Sequence, residues 1–353
     1  MLRYKEIKQL LLHEIAQREQ MERLPSRTVL CKRLDTTRTT LDKAINELEA
    51  EGILVCRDGS GTYVAAPPGF DPQKPQNWGV LVPDSTEDIF ANLVRGVEDV
   101  AQQEGVNLIL CNCDRNIRKQ EMYVRRLMLT GVSGLIIVPV SREDTAESQL
   151  LYDGLSECRI PFVFCHNGVS GIEAPVVTSN NFYGGYLATK HLLAQGYRRI
   201  AYLAETEYRT SLERYQGYTA ALQEAGITPD STLIRFCRGS HQPVIELLTQ
   251  RPDVDALFCF NDTVVGRAYR AIQEMDKRVS DDIGVIGYDD TGICEILNPT
   301  VTSLSYRHAE IGQQAAQLLL RRIRGEQLSE FSYYVYQPTV VERNSCRGRR
   351  NVL

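Results

Sequence analysis

The sequence is short of the residues that build metal centres and nucleophilic active sites. Its five histidines, His13, His166, His191, His241 and His308, show no metal-ligand spacing, and its ten cysteines form no CxxC. A zinc ribbon and a thioredoxin motif are therefore excluded. GxSxG, P-loop and HExxH patterns are all missing. His166 beside Asn167 could serve as a general base but has no partnered nucleophile, so the sequence predicts no enzyme, no cofactor and no metal. Nowhere do 18 apolar residues run together, which excludes a membrane-spanning helix. From Met1 to Gln20, Lys5, Glu6, Lys8, His13 and Glu14 interrupt the apolar residues and leave no core for a secretory signal. A cytoplasmic protein with no membrane partner is expected. Most cysteines lie in apolar runs, such as 162–165 and 257–260, and read as reduced core thiols.

What is present is an ordinary globular composition, 43% hydrophobic and 24% charged, in 353 residues, enough for two or three domains. The segment 65–78, AAPPGFDPQKPQNW, has four prolines and reads as an extended, semi-rigid linker. It divides the chain into 1–65, a linker at 66–77, and 78–344. Up to residue 68 there are eleven Lys and Arg against ten Asp and Glu; the remainder has 29 against 35. A near-neutral small domain beside an acidic large one hints that the small one meets a polyanion.

In the small domain, Ile7, Leu10, Leu11 and Ile15 predict an amphipathic helix. A short second helix is expected over about 28–34. A turn at Asp35, Thr36 and Thr37 leads to a third helix, with Leu41, Ala44, Ile45 and Leu48 on one face and Gly52 as its stop. Strands over 53–56 and 62–65 flank Asp58, Gly59, Ser60 and Gly61, completing a winged helix-turn-helix. Thr37, Arg38, Thr39 and Thr40 stand where free N–H groups and the helix dipole favour phosphate. Arg38 suits a guanine edge or a phosphate, and the hydroxyls suit backbone oxygens. Equally, the threonines could only cap the helix and Arg38 could be solvated.

The order LPSRTVLCKRLDTTRTTLDKAINELEAEGILVCRDGSGTYVA, residues 24–65, resembles the winged-helix domain of the GntR family of bacterial transcription regulators. The resemblance implies DNA contacts at Thr28, Thr37, Arg38, Thr39 and Thr40, at Lys43, and in the wing at Gly59. Two departures stand out. The family's early arginine is replaced by Thr28, for which the adjacent Arg27 is an imperfect substitute, and a further family arginine is Asp42, which cannot bind phosphate. Lys32, Arg33 and Arg57 are weaker candidates for phosphate contact.

From Trp78, apolar runs at 79–83, 106–111, 134–140, 161–165, 200–204, 256–260 and 283–288 alternate with helical patterns, as βαβ units require. The fold class is α/β, with parallel sheets buried on both faces. Ligands of such sheets sit beyond the strands' carboxyl ends, where the sequence places Asp84 and Ser85, His166 and Asn167, Asn261 and Asp262, and Asp289 and Asp290. With Phe90 and Tyr306 as aromatic faces, this mixture suits a polyhydroxylated ligand. Asn180 and Asn181 read as a turn.

WGVLVPD at 78–84, RGVED at 95–99, GLIIVP at 134–139, IPFVF at 160–164, ERYQGYTAALQEAG at 213–226, DALFCFND at 255–262, IGVIGYDD at 283–290 and TSLSYRHAEIG at 302–312 are similar to the effector domain of the LacI family. That resemblance implies a two-lobed, periplasmic-binding-protein-like domain, and its union with a GntR domain looks like the arabinose-repressor subgroup. It places sugar-binding roles on Phe90, Arg214, Asn261 and Asp289, with Asp84 and Ser85 at the cleft floor. His166 and Asn167 replace an Asp-Arg pair, and Tyr306 replaces a Gln, so a different ligand is expected. The whole implies a dimeric repressor released from a palindromic operator by a neutral sugar. The rivals are a regulator answering an oligosaccharide, nucleoside or sugar phosphate, and a sugar-binding protein that does not bind DNA.

Overall fold

The computed structural model describes residues 3–15, 22–50, 53–57, 60–64, 76–140, 155, 160–169, 171–205, 209–326 and 332–348. The expected linker core at 65–75, the helix stop Gly52, and Asp58 and Gly59 of the wing lie outside the described residues.

The amino-terminal unit comprises helices α1 (Arg3–Ile15), α2 (Arg27–Arg33) and α3 (Arg38–Ala50) and the antiparallel strands β1 (Leu54–Arg57) and β2 (Gly61–Val64). Its core joins Ile7, Leu11 and Ile15 to Leu30, Leu41, Ala44, Ile45 and Leu48. Burying each large aliphatic side chain contributes about 1.5–3 kcal/mol, which is what holds so small a unit together. The expected core residue Leu10 is instead 52% exposed. Ile7, Leu11 and Ile15 recur every four residues and already fill the buried stripe, so Leu10 falls beside it.

The larger unit is two six-stranded sheets with helices on their faces. The first lobe orders its strands β13-β7-β6-β5-β3-β4, from β3 (Asn77–Val82), β4 (Asn107–Asn112), β5 (Gly134–Ile137), β6 (Phe162–Cys165), β7 (Val176–Ser179) and β13 (Tyr333–Tyr336). The second is ordered β14-β12-β11-β10-β8-β9, from β8 (Ile200–Ala204), β9 (Ile234–Phe236), β10 (Ala256–Cys259), β11 (Gly284–Asp289), β12 (Thr302–Ser305) and β14 (Thr339–Val341). Pairing is parallel throughout except between β12 and β14. The chain crosses between lobes three times: after β7, after β12 and after β13. Central strands such as β5, β6 and β10 are wholly buried, but the outer strands β4 and β13 are not, with Leu110 and Val335 exposed. The expectation of sheets buried on both faces therefore fails at the edges, which no second layer covers completely.

Helices α4 (Asp88–Gln103), α5 (Ile117–Thr130) and α11 (His308–Ile323) serve the first lobe. The second is served by α6 (Asn181–Ala194), α7 (Arg209–Glu224), α8 (Gln242–Gln250), α9 (Asp262–Glu274) and the short α10 (Ile293–Ile296). Helices α6 and α7 meet at their backbones because of Gly185 and Gly217. A Cβ on Gly185 would lie 2.0 Å from the Arg214 carbonyl oxygen, and one on Gly217 would lie 1.9 Å from that of Phe182. This close approach fixes the position of Arg214 relative to the first crossover. Among the described residues the seven cysteines of the larger unit are buried and free, as the apolar runs around them implied.

Candidate effector cleft and nucleic-acid interface

A cavity of about 630 Å³ opens at the carboxyl ends of the strands. The first lobe contributes Phe90, His166 and Asn167, and the second contributes Arg214, Phe260, Asn261 and Asp289. Tyr306 and His308 come from the second crossover. Seven of the nine expected effector residues thus converge.

Arg214, in the second turn of α7, is 3% exposed. Its Nε donates to Asn181 Oδ1 at 3.1 Å, Nη1 to the Phe260 carbonyl at 2.5 Å, and Nη2 to Asp289 Oδ1 at 3.2 Å. The guanidinium also lies 3.5 Å from the centre of the Tyr288 ring. A solvated ion pair on the helix surface is therefore not its state. Burial works against its charge, but the Asp289 carboxylate together with the Tyr288, Tyr306 and Tyr202 side chains outweighs it, so Arg214 is held above its ordinary value. Asp289 ends β11 at φ 100, a backbone region that L residues rarely occupy. Its burial pushes the carboxyl up to about 7, with Arg214 opposing the rise.

His166 follows β6 at φ 66 and packs 5.6 Å from Phe90 and 4.9 Å from Tyr306 between ring centres. Desolvation, aided by Arg214, lowers it to about 3, so the ring is neutral. His308 Nδ1 lies 3.4 Å from His166 Nε2, and its ring stacks on Tyr306 at 4.6 Å. Desolvation drives His308 well below its usual value too. Its Nε2 is buried without a hydrogen-bond partner, 3.9 Å from Asp289 Oδ1. Because the two atoms are too far apart to bond to each other, a ligand hydroxyl between them could serve both.

Two expected residues stand outside the cavity lining. Asp84 Oδ1 accepts from the Thr86 backbone and side chain, and the Ser85 backbone N–H donates to Asn112 in the turn after β3. Asn261 does line the cavity, while its Oδ1 caps α9 by accepting from the Val264 N–H at 3.0 Å. Asn180 caps α6 as a turn residue should, but Asn181 is buried and holds Arg214. Sequence reasoning also missed His308 and two ion pairs lining the cleft, Glu87 with Arg115 and Glu205 with Arg267. His308 lies two residues beyond Tyr306, inside an already noted motif, and that proximity was the available signal.

In the amino-terminal unit, Thr37 caps α3: the Thr40 N–H donates to its Oγ1 at 3.3 Å, and the two hydroxyls are 2.9 Å apart. Thr28, Arg38 and Thr39 are exposed, with the Arg38 side chain 77% so. Lys43 is exposed on the same face of α3, its Nζ 4.2 Å from the centre of the Tyr4 ring. Arg27 departs from its expected part. Its Nε donates to Asp42 Oδ1 at 2.8 Å, its Nη1 to Thr62 Oγ1 at 2.7 Å, and its Nη2 to Cys56 Sγ at 3.6 Å. It is a strut between α2, α3 and the wing rather than a free substitute for the missing arginine. Gly59 lies outside the described residues.

A winged helix-turn-helix carrying an exposed arginine, followed by a two-lobed ligand-binding domain, defines a DNA-binding transcription regulator. Residues 3–64 match the gntR family of bacterial regulatory proteins, and residues 189–346 match the periplasmic binding protein-like domain. The chain is 26% identical to the arabinose metabolism transcriptional repressor of Geobacillus stearothermophilus over 98% of each protein. It is 32% identical to the transcriptional repressor PurR of Vibrio atlanticus, covering 76% of this chain and 80% of that one. A LacI family transcriptional regulator from Enterococcus faecium, solved with bound ribose, superposes with a TM-score of 0.65 at 29% identity, over 77% of this chain and 99% of that one. The chain belongs to the LacI family of transcription regulators, with a GntR-type DNA-binding domain at its amino end. Among the described residues no helix is long and apolar enough to cross a membrane, and no cluster of His, Cys, Asp and Glu could hold a metal.

Proposed function

We propose that the protein is a cytoplasmic, homodimeric repressor that a neutral sugar releases from a palindromic operator. The observation that carries this reading is the cleft: a polar floor of Arg214, Asp289 and the unpartnered His308 Nε2 between the aromatic faces of Phe90 and Phe260. Hydroxyls both donate and accept, and aromatic faces cover the apolar side of a sugar ring. Beyond Arg214, the cleft has Arg115, Arg209 and Arg267, which invites an anionic effector as a second reading. Each of these is already matched by a carboxylate, Glu87, Glu213 or Glu205, which favours the neutral ligand.

Phe90, His166, Asn167, Arg214, Asn261, Asp289, Tyr306 and His308 are the proposed effector contacts; Thr28, Arg38, Thr39, Thr40 and Lys43 are the proposed DNA contacts. Dimerisation falls to the larger unit, because a winged helix of this size buries little surface. Ile109 and Leu110, exposed on the outer strand β4, are suited to a second copy. Two-fold symmetry of the protein then implies two-fold symmetry of the operator.

Two measurements test the reading together. Melting of the purified protein is followed across neutral mono- and disaccharides, sugar acids and sugar phosphates, and Arg38→Ala is compared with the wild type for binding to duplexes that the wild type enriches from a random-sequence library. A neutral sugar that raises the melting midpoint, with duplex binding lost and sugar response kept in Arg38→Ala, is the expected result. Stabilisation by sugar phosphates alone would transfer the assignment to an anionic effector.

A further inference from the structure

The place where a family arginine is missing holds Asp42, and its carboxylate joins two cations. Oδ1 accepts from Arg27 Nε at 2.8 Å, and Oδ2 lies 3.7 Å from Arg38 Nε, one helical turn away. Arg27 is in turn tied to Thr62 of the wing strand β2, whose residue is 4% exposed. Wing, α2 and the front of α3 are therefore connected through a single side chain, about two-thirds shielded from solvent. Two consequences follow for DNA. An internal carboxylate occupies the charge of Arg27, which would otherwise be drawn to any phosphate irrespective of sequence. The same carboxylate lies nearest the Nε of Arg38, whose side chain is otherwise 77% exposed, so the two terminal Nη groups of its fork need not be spent on Asp42. Guanine presents O6 and N7 as a matched pair of acceptors, and such two-pronged contacts discriminate between bases where phosphate contacts do not.

We propose that Asp42 is a specificity-determining positioning residue. It withdraws Arg27 from phosphate and orients Arg38 to read a guanine in the major groove. This inference rests on the DNA-binding reading above but not on the identity of the effector.

The test uses the full chain and a duplex enriched by the wild type from a random-sequence library. A second duplex carries 7-deazaguanine in place of guanine at each enriched guanine in turn, and a third is poly(dA-dT), which offers no O6 and N7 pair. In the wild type, one such replacement in each half-site should weaken binding roughly ten- to hundredfold, the discrimination of a two-pronged contact. In Asp42→Asn the same replacement should matter less than about threefold, while affinity for poly(dA-dT) rises and its dependence on salt steepens by up to about one phosphate contact per protomer. Asp42→Glu, which keeps the charge, should restore part of the guanine preference. Unfolding by urea, followed for both variants, separates loss of orientation from loss of structure, and Asp35→Asn controls for removal of a negative charge elsewhere in the unit. Should Asp42→Asn keep the wild-type preference at every guanine, or should Asp35→Asn lose it equally, the positioning role is wrong and the DNA-binding reading stands. Failure of the wild type to enrich any duplex would overturn both.

Discussion

Arg214 and Asp289 face each other across the cleft floor at 3.2 Å, both almost wholly buried and both within the second lobe. An ion pair in such surroundings contributes little net stability, because taking two charges out of water offsets most of their attraction. Breaking it from one side is another matter. Asp289→Ala leaves the Arg214 guanidinium buried with neutral partners, the Asn181 side chain, the Phe260 carbonyl and the Tyr288 ring, and a loss of about 3–5 kcal/mol is expected. Urea unfolding of the variant measures it. The double variant Arg214→Met, Asp289→Asn removes both charges and should be less destabilised than Asp289→Ala alone.

Gly185 determines where Arg214 stands. Its added Cβ would meet the Arg214 carbonyl oxygen at 2.0 Å, a clash with backbone that no rotamer change relieves. Gly185→Ala should push α7 from α6, destabilise the second lobe by about 1–3 kcal/mol as overpacking does, and abolish stabilisation by whichever sugar the wild type binds. Gly226→Ala is not an equivalent control, since Gly226 sits at φ 73 and is strained for another reason. Ala225→Ser, in the same connection, is the better comparison. Melting midpoints with and without sugar decide the matter.

The neutral histidine pair makes stability depend on pH. His166 and His308 have folded values far below the ordinary 6.5, so the unfolded chain takes up their protons first as pH falls. Their contribution is fully present well above 6.5 and is lost progressively as pH falls through and below it, each histidine removing about 1 kcal/mol between pH 6.5 and 5.5. Asp289 acts in the opposite sense: raised to about 7, it disfavours the folded state as pH rises from the ordinary carboxylate value through 7. The net slope of the wild type therefore mixes both. Comparison with His308→Phe isolates one histidine, and urea unfolding at pH 7.5 and 5.5 should show the variant losing about 1.4 kcal/mol less than the wild type. Equal losses would mean that His308 is not held neutral.

Much of this architecture is legible in the sequence, and the unreadable parts share physical causes. The seven strands expected from apolar runs all form; six of them are central parallel strands, buried on both faces as their sequences say, and the seventh, β4, is an outer strand with an apolar run of its own. The strands Val176–Ser179, Ile234–Phe236, Thr302–Ser305, Tyr333–Tyr336 and Thr339–Val341 were not foreseen. They are short and polar or lie toward an edge, where neighbours rather than composition decide pairing. At the cleft, Arg214, Asp289, His166, Asn167, Asn261, Phe90 and Tyr306 could be picked out since each lies beyond a strand or in a family motif. Asn181 could not, because its role arises only when the first crossover meets α7, and His308 offered no signal beyond its closeness to Tyr306. Asp84 and Ser85 occupy the right place along the chain, but Asp84 Oδ1 is taken up by Thr86 in the turn and neither residue lines the cavity. Arg27 and Asp42 show the same limit: which charge pairs with which is a property of three dimensions.

Duplex affinity measured by fluorescence anisotropy, with and without the sugar that most stabilises the protein, tests the central claim most directly. A response carried by the cleft should appear as weaker binding of the wild type to its enriched duplex at saturating sugar, by about fivefold or more, the usual scale of coupling between sites. Arg214→Met should bind the duplex as the wild type does and ignore the sugar. Duplex affinity that is the same with and without a sugar known to bind, or an Arg214→Met protein that still responds, would contradict the account.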